Sequence, residues 1–77
     1  MLQPRHSLAQ MLSVTRKELG VGQLHLSRML NMKLHRLSDL EKARSHASPS
    51  EDTRIRRKMR KILGEMKRHD LIKLAEE

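Results

Sequence analysis

Cysteine is absent from this chain, and so are phenylalanine, tyrosine and tryptophan. Without cysteine there is no disulfide, no thiolate metal site and no cysteine nucleophile. Without aromatic rings the core must be built from Leu, Ile, Val, Met and Ala. Aromatic side chains bury the most area per residue, so a small domain lacking them gains from burial elsewhere, such as a dimer interface. The 77 residues include only three glycines and two prolines, so turn signals are few. No segment alternates in the β-branched manner of a strand. No apolar run approaches the ~18 residues of a membrane span, and the opening stretch MLQPRHSLAQ has no apolar signal-peptide core. There is no internal repeat and no low-complexity tract. The expectation is one small all-α domain over residues 1–77, in a soluble, cytoplasmic protein that is complete as given and has no membrane partner.

What the chain does have is positive charge. Seventeen Lys and Arg face nine Asp and Glu, a formal excess of eight. Such an excess, when clustered, suggests a polyanionic partner, and nucleic acid fits a basic patch better than an anionic membrane surface. A chain this short buries only roughly 60–65% of its unfolded surface, so its own core is marginal.

Helical periodicity divides the chain into about five short helices. The first is expected from Ser7 to Leu19, where Ser7 and Gln10 form a capping box. Leu8, Met11, Leu12, Thr15 and Leu19 share one face, and Gly20 stops the helix. The second spans Gln23 to Leu30 with Leu26, Met29 and Leu30 inward, and Asn31 can take the left-handed conformation after it. The third covers Leu34 to Ala43 with Leu37 and Leu40 inward. A loop of about eight residues leads to Ser48-Pro49-Ser50-Glu51, a start signal with a Ser cap and Pro at the first helical position. The fourth helix carries Ile55, Met59, Ile62 and Leu63 inward and is expected to end at Gly64. The remainder, about 65–77, reads as a weaker amphipathic helix using Met66, Leu71, Ile72, Leu74 and Ala75, with its last residues fraying. Those apolar residues, with nothing evident to cover, mark a possible dimerisation element at Met66, Leu71, Ile72 and Leu74.

Two short helices across the pair Asn31-Met32, in a basic all-α chain, fit a helix-turn-helix. At about 100° per residue, the face opposite Leu37 and Leu40 carries His35, Ser38, Asp39 and Lys42, with Leu34 and Arg36 on the flanks. His, Ser, Asp and Lys can hydrogen-bond to base edges, and Leu34 can touch a thymine methyl. A short turn holds the third helix proud of the body, so that it can enter a major groove.

The stretch from about Leu12 to Leu63 resembles the phage repressor and Cro type of helix-turn-helix domain, the XRE-like, lambda-repressor-like fold. The resembling residues are Arg16, Leu19-Gly20, Gln23, Leu26-Ser27, Met29-Leu30, Leu37, Leu40 and Glu41, in register. Asn31 and Ala43 replace the glycines usual after the second and third helices. Lys33 and Gly22 replace the usual caps. The resemblance implies that Gln23 opens the second helix and bonds to a phosphate or a base-reading side chain. It implies that Leu34, His35 and Asp39 read bases, and that Arg16 pairs with Glu41 to lock the third helix to the body. Asp39 has two readings: accepting from cytosine N4, or pairing with Arg36 or Lys42. Lys33, Arg36, Lys42 and Arg44 surround the third helix as candidates for contacts to the DNA backbone. The run RIRRKMRK, Arg54 to Lys61, has six basic residues in eight; it is either a second backbone-binding surface or a solvated helix face.

The five histidines, at 6, 25, 35, 46 and 69, include no i, i+4 pair of the helical zinc type. No metal or other cofactor is therefore expected. No nucleophile–base pair, phosphate-cradling glycine loop or paired carboxylate site is present, so an enzyme is not expected either. The function expected is a sequence-specific transcriptional regulator of phage or mobile-element type. It would be a homodimer on a palindromic operator, nucleoid-associated when bound to double-stranded DNA, and most simply a repressor. Contact with polymerase would allow activation instead. The rival is the DNA-binding antitoxin of a toxin–antitoxin pair, with a toxin protein as partner.

Overall fold

A computed structural model describes residues 6–76. Among them there are five helices and no strand: α1 (Leu8–Leu19), α2 (Gln23–Met29), α3 (Leu34–Glu41), α4 (Pro49–Glu65) and α5 (His69–Ala75). Pro4 and the rest of the opening stretch, and Glu77 of the tail expected to fray, lie outside the described residues.

The expected starts hold for α1 and α4. Ser7 accepts from the Gln10 amide at 3.1 Å while the Gln10 side chain accepts from the Ser7 amide at 3.2 Å. Ser48 caps α4 through the Glu51 amide at 3.2 Å, with Pro49 in the first turn.

The ends of α1 to α4 share one geometry. Gly20, Asn31, Ala43 and Lys67 all have positive φ, between 54° and 69°. In each case the next amide reaches back across the turn, Val21 to Arg16 O, Met32 to Ser27 O, Arg44 to Asp39 O and Arg68 to Leu63 O, at 2.8–3.2 Å. This is the six-to-one bond of a Schellman end, which satisfies a carbonyl the helix leaves free. Three expectations change as a result. Gly64 does not end α4: it lies within the helix, which runs to Glu65, and Lys67 makes the left-handed turn. The fifth helix begins at His69 rather than near Glu65. Likewise α3 stops at Glu41, two residues short of Ala43, because Ala43 is itself the left-handed residue.

Met11, Leu12, Leu26, Leu30, Leu37, Leu40, Ile55, Met59, Leu63, Leu71 and Ala75 form one buried cluster drawn from all five helices. α1 packs on α3 and on α5, α2 packs on α3, and α4 packs on α5. The expected dimerisation element is thereby corrected in part. Leu71 and Ala75 belong to the chain's own core, and Ile72 and Leu74 are half-buried against it. Only Met66 of that set is exposed. The apolar residues of the tail do have something to cover: α1 and α4.

Candidate nucleic-acid interface

α3 is fastened on both flanks, and its outer face is left open between the fastenings. On one flank the Arg16 guanidinium of α1 donates to both Glu41 oxygens. Its Nε lies 3.1 and 3.0 Å from Oε1 and Oε2, and its Nη2 lies 3.0 Å from Oε1. Nη1 also reaches the Val21 carbonyl at 3.4 Å. Glu41 is only 4% exposed and Arg16 20%. A charge-assisted, two-pronged contact of this kind fixes direction as well as distance. It therefore ties the C-terminal turn of α3 to the last turn of α1.

On the other flank Arg36 reaches the first turn of α4. Its Nη2 is 2.6 Å from Glu51 Oε1 and its Nε 3.2 Å from Oε2. The same guanidinium donates to Ser45 Oγ and to the His46 carbonyl, so it also staples the α3–α4 loop. The hydrogen bond from Arg36 holds the Glu51 carboxyl below its ordinary range, with the nearby charges of Arg36 and Arg54 adding to the effect. Arg36 is raised above its ordinary value, first by the bond to Glu51. Arg36, expected among the backbone contacts, instead directs all three guanidinium nitrogens to Glu51, Ser45 and His46, although its side chain stays 31% exposed.

The other expected residues are arranged around these two clamps. Leu34 is 43% exposed, and His35 is exposed beside it. Ser38 and Asp39 are half-buried, so they stand lower on the face than their spacing suggests. Asp39 makes no ion pair with Arg36 or Lys42; its charge only helps to raise Arg36. Lys33 caps α3 through its backbone without a side-chain bond and is exposed, as are Lys42 and Arg44. Gln23 opens α2, half-buried. The second residue of α2, Leu24, is 49% exposed. Ser27 is buried, and its hydroxyl donates back to the Leu24 carbonyl at 2.7 Å.

The basic run of α4 is not uniform, and sequence reasoning missed how it divides. Arg56 is 1% exposed. Its Nε meets Asp52 at 2.6 Å and its Nη2 meets the His6 carbonyl at 2.8 Å, while Nη1 is buried without a hydrogen-bond partner. Arg60 donates to the Ala75 carbonyl at 3.0 Å and ties α4 to α5. The signal for Arg56 was present: at about 100° per residue it projects only about 20° from Leu63.

Among the described residues there is no cluster of three His, Cys, Asp or Glu suited to a metal ion, and no helix long and apolar enough to cross a membrane. No family model matches the chain, and no curated protein or solved structure is significantly similar to it.

Proposed function

We propose that this chain is a sequence-specific DNA-binding transcriptional regulator that acts as a homodimer on a two-fold symmetric operator and represses by occupying it. One observation carries the reading. α3 is a short helix clamped on both flanks, by Arg16–Glu41 and Arg36–Glu51, with Leu34, His35 and Lys42 left exposed between the clamps. A helix held this firmly while its polar outer face stays uncovered is suited to entering a major groove, where an α-helix fits and base edges differ. Lys33, Lys42 and Arg44, exposed and unspent, supply the phosphate contacts that fix orientation without reading sequence.

Selection from a random DNA pool with the purified protein tests the reading. The expected result is a consensus with two-fold symmetry and half-sites about one helical turn apart. A pool that shows no enrichment overturns it.

A further inference from the structure

The sorting of the α4 cations leaves a second feature unexplained. With Arg56 buried and Arg60 spent on the Ala75 carbonyl, Arg54, Arg57, Lys58 and Lys61 remain. They fall at i, i+3, i+4 and i+7, within an arc of about 100° centred about 150° from the line of Ile55, Met59 and Leu63. The stripe covers about 10 Å of helix axis. None of the four makes a hydrogen bond or ion pair with another described side chain, although Arg54 lies near enough to Glu51 to help hold its carboxyl charged. Glu65 continues the same face at its C-terminal end and forms no ion pair with the stripe. Like charges at these spacings repel by a few tenths of a kcal/mol per pair (about 0.2–0.5), so the bare helix carries a cost that an anion relieves.

The stripe also adjoins the interface described above. Arg54 and Lys58 line a cleft of about 320 Å³ together with Leu30, Asn31 and Met32 at the α2–α3 turn, and the paired Arg36 and Glu51 line it too. Asn31 and Met32 also wall a second, shallower cleft with Arg28 and Lys33. The α2–α3 turn lies between the α4 cations and two more, Arg28 in the last turn of α2 and Lys33 at the N-cap of α3, and the six are taken together as one band.

We infer that this band is a phosphate track, which holds the DNA backbone beyond the base pairs touched by α3 and lengthens the footprint on the α4 side. The inference rests on the DNA-binding reading above. Duplex phosphate suits the band better than other anions for reasons of side-chain chemistry. The stripe includes no apolar or aromatic anchor of the kind that dominates protein interfaces. It has no ring on which an unpaired base could stack. It has no apolar member to enter a lipid headgroup layer. It offers spaced cations alone, which match a regular row of phosphates.

Two duplexes carrying the consensus selected from the random pool provide the test, one ending at the consensus and one extended by about a helical turn on each side. The wild type should bind the longer duplex more tightly and with a steeper log–log salt dependence. Arg57→Gln with Lys61→Gln should abolish that gain and make the slope on the longer duplex shallower by about two units per protomer, roughly 0.9 for each lost contact. Base preference should be unchanged, and the melting temperature should not fall, because the substitutions relieve like-charge repulsion along the helix. Equal wild-type affinity for the two lengths, or an equal loss by the variant on both, overturns the track while the DNA-binding reading stands. Binding to phosphatidylserine–phosphatidylcholine vesicles that the same variant loses, with duplex binding intact, overturns it in favour of a membrane surface. A pool without a consensus removes the underlying reading, and the track with it.

Discussion

Arg36 and Glu41 leave α3 on opposite flanks, about 140° apart around its axis, and each is tied to a different helix: Glu41 to Arg16 of α1 and Arg36 to Glu51 of α4. Neither residue faces outward, so the charges that hold α3 are distinct from those it can present. Affinity and sequence preference should therefore respond to different substitutions.

Arg16→Met leaves the Glu41 carboxylate, 4% exposed in the intact pair, without its cation. Removing one partner of a well-buried pair is costly, and the partial exposure of Arg16 brings the expected loss to about 2–3 kcal/mol. In a domain this small that lowers the melting temperature by about 10 °C or more. DNA affinity should drop together with stability and by the same factor on every operator variant. Unaltered melting with a changed base preference would contradict the assignment.

Glu51 supplies a pH signature. Its carboxyl is lowered from 4.5 in the folded chain. The stability it contributes is thus present at and above that ordinary value and is lost as pH falls below it, through the lowered folded-state value. Asp70, lowered by its bond to Arg68, contributes in the same direction. The Arg36–Glu51 pair is partly exposed, so solvent screens it and its contribution is small. Glu51→Gln should lower stability slightly near neutrality and flatten the acid limb of a denaturation-versus-pH series. A variant whose acid limb matches the wild type shows that the pair is not formed in solution.

His35→Ala should relax preference at one or two symmetric base pairs, at a cost of about 1–3 kcal/mol per contacted pair. Lys42→Gln should weaken all sequences alike and make the salt slope shallower by about one unit per protomer. Competition binding against an operator library at two salt concentrations separates the two effects. Should Lys42→Gln alter a base preference while His35→Ala alters none, the outward face of α3 has been assigned with the wrong rotation.

Leu71→Asp places a carboxylate where the side chain is 5% exposed and shared between α5 and the rest of the core. The expected result is loss of the folded state, seen by circular dichroism, rather than a folded monomer. Burial of an unpaired charge exceeds the marginal stability of so small a domain. A folded monomer would show that Leu71 serves an interface between copies instead.

How far the fold was legible follows from these residues. The apolar spacing placed the core because a helix face repeats every three or four residues whatever surrounds it. The helix ends were harder. Asn31 was readable because its short amide side chain tolerates the left-handed conformation. Lys67 carries no such signal, and Gly64, which does, sits inside a helix. The surrounding packing, with Met59 and Leu63 buried on one side of the turn and Leu71 on the other, decides where α4 ends. The candidate site was legible in its exposed members and misread at Arg36 and Arg56. Charge in a sequence does not say whether a guanidinium meets solvent or a carboxylate 15 or 4 residues away.

Ala43→Gly is expected to stabilise. Ala43 holds φ 57° at the end of α3. Left-handed backbone costs a residue with a Cβ about 1–2 kcal/mol, and the added unfolded-state freedom of glycine returns about 0.4–1 against it. A net gain of about 0.5–1 kcal/mol should raise the thermal midpoint by a few degrees. A lower midpoint is the opposing result.

The position of α1 sets the order in which the chain can fold. α2 packs on α3 and α4 on α5, contacts between neighbours that close quickly, and such low-contact-order chains fold in microseconds to milliseconds. α1 touches α5, and the His6 carbonyl meets Arg56, 50 residues away in the sequence. Closing that loop costs the most chain entropy and is rewarded only once both ends exist. During synthesis the segment up to α3 can gather around Leu12, Leu26 and Leu37, but the core stays open until the chain has been extended through Ala75.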